Sequence, residues 1–215
     1  MKSLFDYNNP VMRAITKFGY LWLLDLLFVV TSLPVFTIGA SLTALNYACM
    51  KLTDDEGSVV SNYFSSFKSN FRQATGIWMI YLVFGALWVF AMIFYNKMDT
   101  SSMKLLWAAV LAIGIIYLIS LCWVFAIQSK FVNSIRDTIR FSFLVAFTNL
   151  PETVFILMIL ISMVVLNVTM PFIVNFLSLN FGFGLVFYLY AYFYKRVFAK
   201  YIDHKKPLRT DSIYK

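Results

Sequence analysis

"TSLPVFTIGAS", residues 31–41, sets a proline and, five residues later, a glycine inside the first apolar run of the chain. Proline removes a backbone donor and disfavours helix at the residue before it, so the run is read as broken at Pro34-Gly39. Two architectures follow. Either Phe18 to Met50 crosses a membrane once with an internal break, or the chain turns back at Ser32 to Gly39 and the run is two packed arms. Gly39 also starts a stripe of small residues, with Ala40, Ala44 and Ala48 behind it and Ala108 and Ala112 repeating the spacing later. Such stripes let helix backbones approach closely, so the arm after Gly39 is expected inside a bundle.

The surrounding sequence is that of a membrane protein. Hydrophobic residues make up 61% and charged ones 13%, against roughly 45–50% and 25% in soluble domains. Ala74 to Tyr95, Leu105 to Ile127 and Thr153 to Val174 contain no charge, and each exceeds the roughly 18–20 apolar residues that cross a hydrocarbon core. Leu177 to Tyr194 adds 18 uncharged residues and stops at Lys195-Arg196. The expected fold is therefore all-α: a polytopic helical membrane bundle of five to six membrane helices. Residues 1–202 form one membrane domain, and 203–215 a basic tail. Lys2, Arg13 and Lys17 before an apolar run resemble a signal peptide, but the leader would be long and Ile38 occupies the −3 position of the small-residue site before Ser41. The run is read as retained.

Charge tests the two architectures, because positive residues in short loops stay cytoplasmic. The 18 Lys and Arg fall three before Phe18, three from Lys51 to Arg72, two from Asn96 to Lys104, three from Lys130 to Arg140 and seven from Lys195 onward. One crossing by the first run leaves five of them outside, whereas the hairpin leaves only two. The hairpin is favoured, with five spans as the alternative, and the C-terminus is placed in the cytoplasm. Each arm is about 16 residues, ~24 Å of helix, so the turn must lie near the far interface or be packed by neighbours.

Two stretches read as amphipathic interfacial helices. Ser58 to Gln73 places Phe64, Phe67 and Phe71 on one side with Lys68 and Arg72 beside them. Phe131 to Leu150 places Ile135, Ile139, Phe143, Phe147 and Leu150 opposite Arg136 and Arg140. A basic amphipathic helix lies flat among anionic headgroups or docks a partner, as coupling helices do in ABC transporters. The net charge of +8 sits in short loops and the tail, which points to the lipid bilayer rather than to nucleic acid.

Within the spans, Asp25 stands out in "LWLLDLLFVV", since an ionised carboxylate at the bilayer centre costs on the order of 3 kcal/mol. It needs pairing, protonation or water. Asn46, Ser120 and Asn167 are the candidate polar neighbours and, with Asp25, the candidate substrate or proton site. Asp54-Asp55-Glu56 lacks the alternating oxygens of a calcium loop and is read as opening the next helix. His204 is the single histidine and lies in a basic tail; Cys49 and Cys122 form neither a disulfide framework nor a zinc cluster. No enzyme, metal or cofactor chemistry is expected. Trp78, Trp107 and Trp123 read as interfacial anchors.

"FDYNNPVMRAITKFGYLWLLDLLFVVTSLPVFTIGASLTALNYACMKL" followed by "YFSSFKSNFRQATGIW" resembles the YesL-like bacterial membrane proteins, a family of unknown molecular function. "SLPVFTIGAS" and "FKSNFRQA" are the most specific parts, and the likeness runs from about Phe5 to Trp78. The family often carries asparagine where this chain has Asp25. Its members typically sit beside carbohydrate ABC importer components in Gram-positive genomes, so the resemblance implies an accessory membrane component of a sugar-import system, with the ABC permease and ATPase as partners. It supplies no binding or catalytic residue. Two other readings stay open: an autonomous channel or secondary transporter using Asp25, and a membrane regulator or assembly factor that transports nothing.

Overall fold

The computed structural model describes residues 10–96, 101–170, 172 and 182–204. Among the described residues it is all helical: α1 Pro10–Ser32, a single 3-10 turn Val35–Thr37, α2 Ile38–Thr53, α3 Val59–Asn96, α4 Ser101–Lys130, α5 Ile135–Thr148, α6 Leu150–Thr169 and α7 Phe183–His204. Four of these, α1, α3, α4 and α6, are long and apolar enough to cross a membrane. The α2 helix, at 16 residues, is too short to span by itself.

The proline does end α1, and the chain turns back. Thr37 donates through its backbone N–H to the Pro34 carbonyl at 2.9 Å, and its hydroxyl lies 2.5 Å from the Thr31 carbonyl, so the turn closes on its own polar groups. It is also packed from outside. Trp78 Nε1 donates to the Val35 carbonyl at 2.8 Å. Gly39 sits so close to α3 that a Cβ there would lie 2.5 Å from both the Ala74 carbonyl oxygen and Trp78 Cβ. Ala40, Ala44 and Ala48 are fully buried, and α2 packs against α1, α3, α4 and α7 at once. It is the central shaft of the bundle.

The length of the first arm is the first difference from expectation, since α1 has 23 residues where about 16 are expected, and the depth of the turn decides between its two expected placements. The turn lies beside Ala74 and Trp78, yet α3 runs on to Asn96, another 18 residues or about 27 Å at 1.5 Å per residue. The hairpin therefore ends well short of the far end of α3. Only α2 is short, because it accompanies only the first half of α3, and packing by neighbours, one of the two placements expected for it, satisfies the turn.

The second difference is in α3 itself. Ser58 to Gln73 is not a separate interfacial helix but the first part of one continuous helix of 38 residues. Its buried residues are Val59, Tyr63 and Ser66 and then Ala74, Ile77 and Tyr81, with half-buried Asn70 and Gln73 on the same side between them, and no helix-breaking residue intervenes at Gln73-Ala74. Lys68 and Arg72 are exposed on the outer face, and Phe64 and Phe71 are partly exposed beside them.

The α5 helix is separate, opened by Ser134, whose Oγ accepts from the Asp137 N–H and thereby caps an otherwise orphaned donor. It turns its small and polar side inward: Thr138, Ser142, Val145 and Ala146 are buried, while Phe147, and Leu150 at the start of α6, remain half exposed. The last helix continues past the end of its uncharged run at Lys195-Arg196, since α7 extends to His204 and buries Val197 and Phe198. The start of that window at Leu177, the end of the preceding one at Val174, Lys97 and the chain beyond His204 lie outside the described residues. Trp123 is no interfacial anchor. It is fully buried and donates to Thr153 Oγ1 at 3.0 Å.

Candidate functional site

Asp25 is held by α1 in line with the helix's inward face, where Leu21, Leu24, Asp25 and Phe28 follow the i, i+3, i+4, i+7 spacing and are all buried. Its partner comes from the other end of the chain. The Gly184 N–H donates to Asp25 Oδ1 at 2.5 Å, at the start of α7, where the first backbone N–H groups of a helix have no partner within it. A carboxylate there also meets the positive end of the helix dipole. Gly184 permits this contact: a Cβ would come 2.7 Å from the Leu21 carbonyl oxygen, so a side chain would push α7 off α1. The second oxygen, Oδ2, is buried without a hydrogen-bond partner. Cys49 Sγ lies 3.9 Å from the Gly184 carbonyl oxygen.

Each of the three polar residues expected around Asp25 has a hydrogen-bond partner of its own. Asn46 donates to the Leu42 carbonyl at 2.8 Å, and its Oδ1 is buried with no partner. Ser120 is hydrogen-bonded to Tyr81 and to Ser142 at 2.7 Å, tying α3, α4 and α5 together. Asn167 donates to the Met163 carbonyl at 2.8 Å. The structure holds several small sets of hydrogen-bonded polar side chains.

One of them was not legible from the sequence. The Thr31 and Tyr63 hydroxyls meet at 2.6 Å, and Ser41 donates to Thr31 Oγ1 at 2.9 Å, so the hairpin is fastened to α3 by hydroxyls 32 and 10 residues apart. Another joins Gln128 Nε2 to Asn70 Oδ1 at 3.1 Å and Thr138 Oγ1 to Gln128 Oε1 at 3.3 Å. Each satisfies buried groups locally.

Among the described side chains, the charged residues gather at the end away from Asn96 of α3. Asp54, Asp55 and Glu56, expected to open α3, instead reach in three directions. Lys195 of α7 pairs with Asp54; Lys17 and Arg13 of α1 pair with Asp55 at 2.9 and 3.3 Å; Lys51 pairs with Glu56 at 2.6 Å. The loop can do this because Asp55 and Gly57 both adopt left-handed backbone, with φ of 56° and 69°, which fans successive side chains apart. The Lys17 hydrogen bond, ahead of the charges of Lys17 and Arg13, holds the Asp55 carboxyl below its usual range. Bonding to Glu56 raises the Lys51 ammonium.

A polar groove of about 260 Å³ runs between this loop and α7, lined by Lys51, Glu56, Lys130 and Lys195. A second, of about 450 Å³, lies between α5 and α7 and includes Asp137, Arg140 and Tyr201. Lys68, Arg72 and Arg136 are exposed. Among the described residues no group of three or more His, Cys, Asp or Glu side chains is placed to hold a metal ion.

A family model described as "Protein of unknown function, DUF624" matches residues 18–92. That stretch is the α1–α2 hairpin together with nearly all of α3, the part in which the turn, Gly39 and Trp78 interlock. No curated protein and no solved structure matches the chain.

Proposed function

We propose that the chain is a non-enzymatic accessory subunit of an ABC-type carbohydrate importer, embedded in the cell membrane with its charged end and C-terminus in the cytoplasm. Its working surface is that charged end. The observation that supports partner binding over autonomous transport is the division of buried polar groups into separate, locally bonded sets, with the ion-paired loop at residues 54–56 joining α1, α2 and α7 into a firm platform. A transport path needs polar groups that face one another along it. The sugar-import assignment rests on the sequence resemblance, and the orientation on the excess of Lys and Arg at one end.

The proposal is tested by detergent pull-down of the tagged protein with the permease and ATPase encoded nearby, alongside sugar uptake in a deletion strain. Co-purification that is lost on replacing Lys68, Arg72, Arg136 and Arg140 together supports it. Absence of both a complex and an uptake defect sinks it.

One observation favours the second reading, a transporter that uses Asp25: the unpartnered, buried Oδ2. That reading requires Asp25→Asn to abolish flux in proteoliposomes while the protein stays folded. Unchanged flux, or none in the wild type, removes it.

A further inference from the structure

A groove of about 270 Å³ lies between α3, α4 and α5, walled by Ile80 and Phe84, by Ile113 and Ile116, and by Ile139 and Phe143. It opens on the outside of the bundle, since the four residues from α3 and α4 are each 43–50% exposed. The tyrosines of the same wall are already engaged: the Tyr117 hydroxyl donates to the Tyr81 carbonyl at 3.0 Å, and the Tyr81 hydroxyl is bonded to Ser120. Water gains nothing in such a groove, because an ordered water needs two to four polar partners. Helices α3 and α4 are both long and apolar enough to cross a membrane, so the medium beside the groove is hydrocarbon. Ile80 and Phe84 stand six and ten residues into the uncharged stretch of α3 that starts at Ala74, about 9 and 15 Å from its edge. That is the depth of an acyl chain.

The charge beside the groove says which lipid. Arg72 lies just outside the uncharged stretch, eight residues or about 12 Å of rise from Ile80. Helix α5 meets α3 one turn further in, where a Cβ on Gly76 would lie 3.2 Å from Ile135 Cδ1 and where Gln73 donates to the Asn133 carbonyl. Arg136 follows Ile135 and precedes Ile139 of the groove by three residues, a spacing that makes side chains neighbours on a helix. Two guanidinium groups, one from each helix, therefore stand near this corner. Both are exposed, and neither is ion-paired among the described residues. The neighbouring acid, Asp137, accepts from Ser134 at 2.6 Å and lines the other groove, toward α7.

We infer that this groove holds an anionic phospholipid of the adjacent leaflet, with one acyl chain between Ile80, Ile116 and Phe143 and the phosphate at Arg72 and Arg136. The site is independent of the importer proposal, although both use these arginines.

The test titrates the full chain in detergent with palmitoyl-oleoyl phosphatidylglycerol and with the phosphatidylcholine of the same chains, counting bound lipid by native mass spectrometry. The wild type is expected to prefer phosphatidylglycerol, and Arg72→Gln and Arg136→Gln each to weaken its binding by about five-fold, the value of one basic residue against an anionic lipid surface. Ile116→Trp, which fills the groove, should weaken both lipids alike. Equal retention of the two lipids by the wild type overturns the inference, as does a preference unchanged in both arginine variants. Phosphatidylglycerol binding unchanged in Ile116→Trp assigns the lipid to the charges alone and overturns the groove as its site. Should Ile116→Trp not fold, the headgroup comparison and the two arginine variants decide. No permease or ATPase is present in the titration, so loss of the importer complex leaves this result standing, and failure to hold lipid leaves the importer proposal standing.

Discussion

At the scale of single residues, two contacts need a particular atom to be present or absent. Asp25 supplies an acceptor to the Gly184 N–H, and asparagine can supply one too. Asp25→Asn is therefore expected to melt close to wild type in detergent. Asp25→Leu leaves the helix N–H unpaired inside the bundle and should lose about 1–3 kcal/mol; equal melting of the two variants would show that the hydrogen bond is not what the carboxylate contributes. Gly39 works by lacking a Cβ, which would lie 2.5 Å from Ala74 and Trp78. Gly39→Ala must part α2 from α3, with an expected loss of about 1–3 kcal/mol by thermal unfolding. The importance of Gly39 is legible in the sequence, because Ala40, Ala44 and Ala48 extend its stripe at a helical repeat. The Asp25–Gly184 contact is not, because the partners are 159 residues apart and no local pattern signals a helix beginning against α1.

At the scale of elements, the hairpin was legible as a reversal and its depth was not. Proline and glycine mark where a chain turns, but only the partner contacts, Trp78 to Val35 and Gly39 to Ala74, say how far along α3 the turn sits. The aromatic stripe of Phe64, Phe67 and Phe71 does not by itself mark the buried side of α3: lipid is as apolar as a protein core, so an apolar stripe on a membrane helix does not tell inside from outside. The buried side of α3 is instead marked by Tyr63 and Ser66, which are fully buried. The loop between α2 and α3 carries a prediction about pH. Asp55 is held below its usual value of 3.8, so its contribution is complete above that pH and is lost as pH falls through the lowered value. Lys51 is raised above its usual 10.5, so its contribution is complete below that pH and is lost as pH climbs past it. Protease resistance of the loop at residues 54–58 should thus stay flat from about pH 5 to 9 and fall below about pH 4. A steady decline between pH 8 and pH 5 would assign the loop's order to some other group.

At the scale of the whole molecule, buried residues concentrate where α2 runs, and the bundle thins toward the end of α3 and the start of α4. Val83, Leu87, Phe90 and Ile93 of α3 and Ile113 and Ile115 of α4 are all exposed, forming an apolar surface that lipid or a partner must cover. There α3 and α4 hold each other by interlocking, with Trp88 Nε1 donating to the Val110 carbonyl at 2.8 Å. The helical membrane class was legible from composition and run length alone, since both follow from the thickness of a hydrocarbon core. The division of polar groups into separate sets was not, because which serine meets which tyrosine is decided by how the helices cross. The central structural claim is that the α1–α2 hairpin reaches only halfway along α3. Distances between paired spin labels, placed on a variant with Cys49 and Cys122 replaced by alanine, test it directly. A label at Val35 should lie within about 15 Å of one at Met79 and roughly 25 Å from one at Phe94, as the rise of the intervening helix requires; a Val35 label nearer to Phe94 than to Met79 would contradict the account.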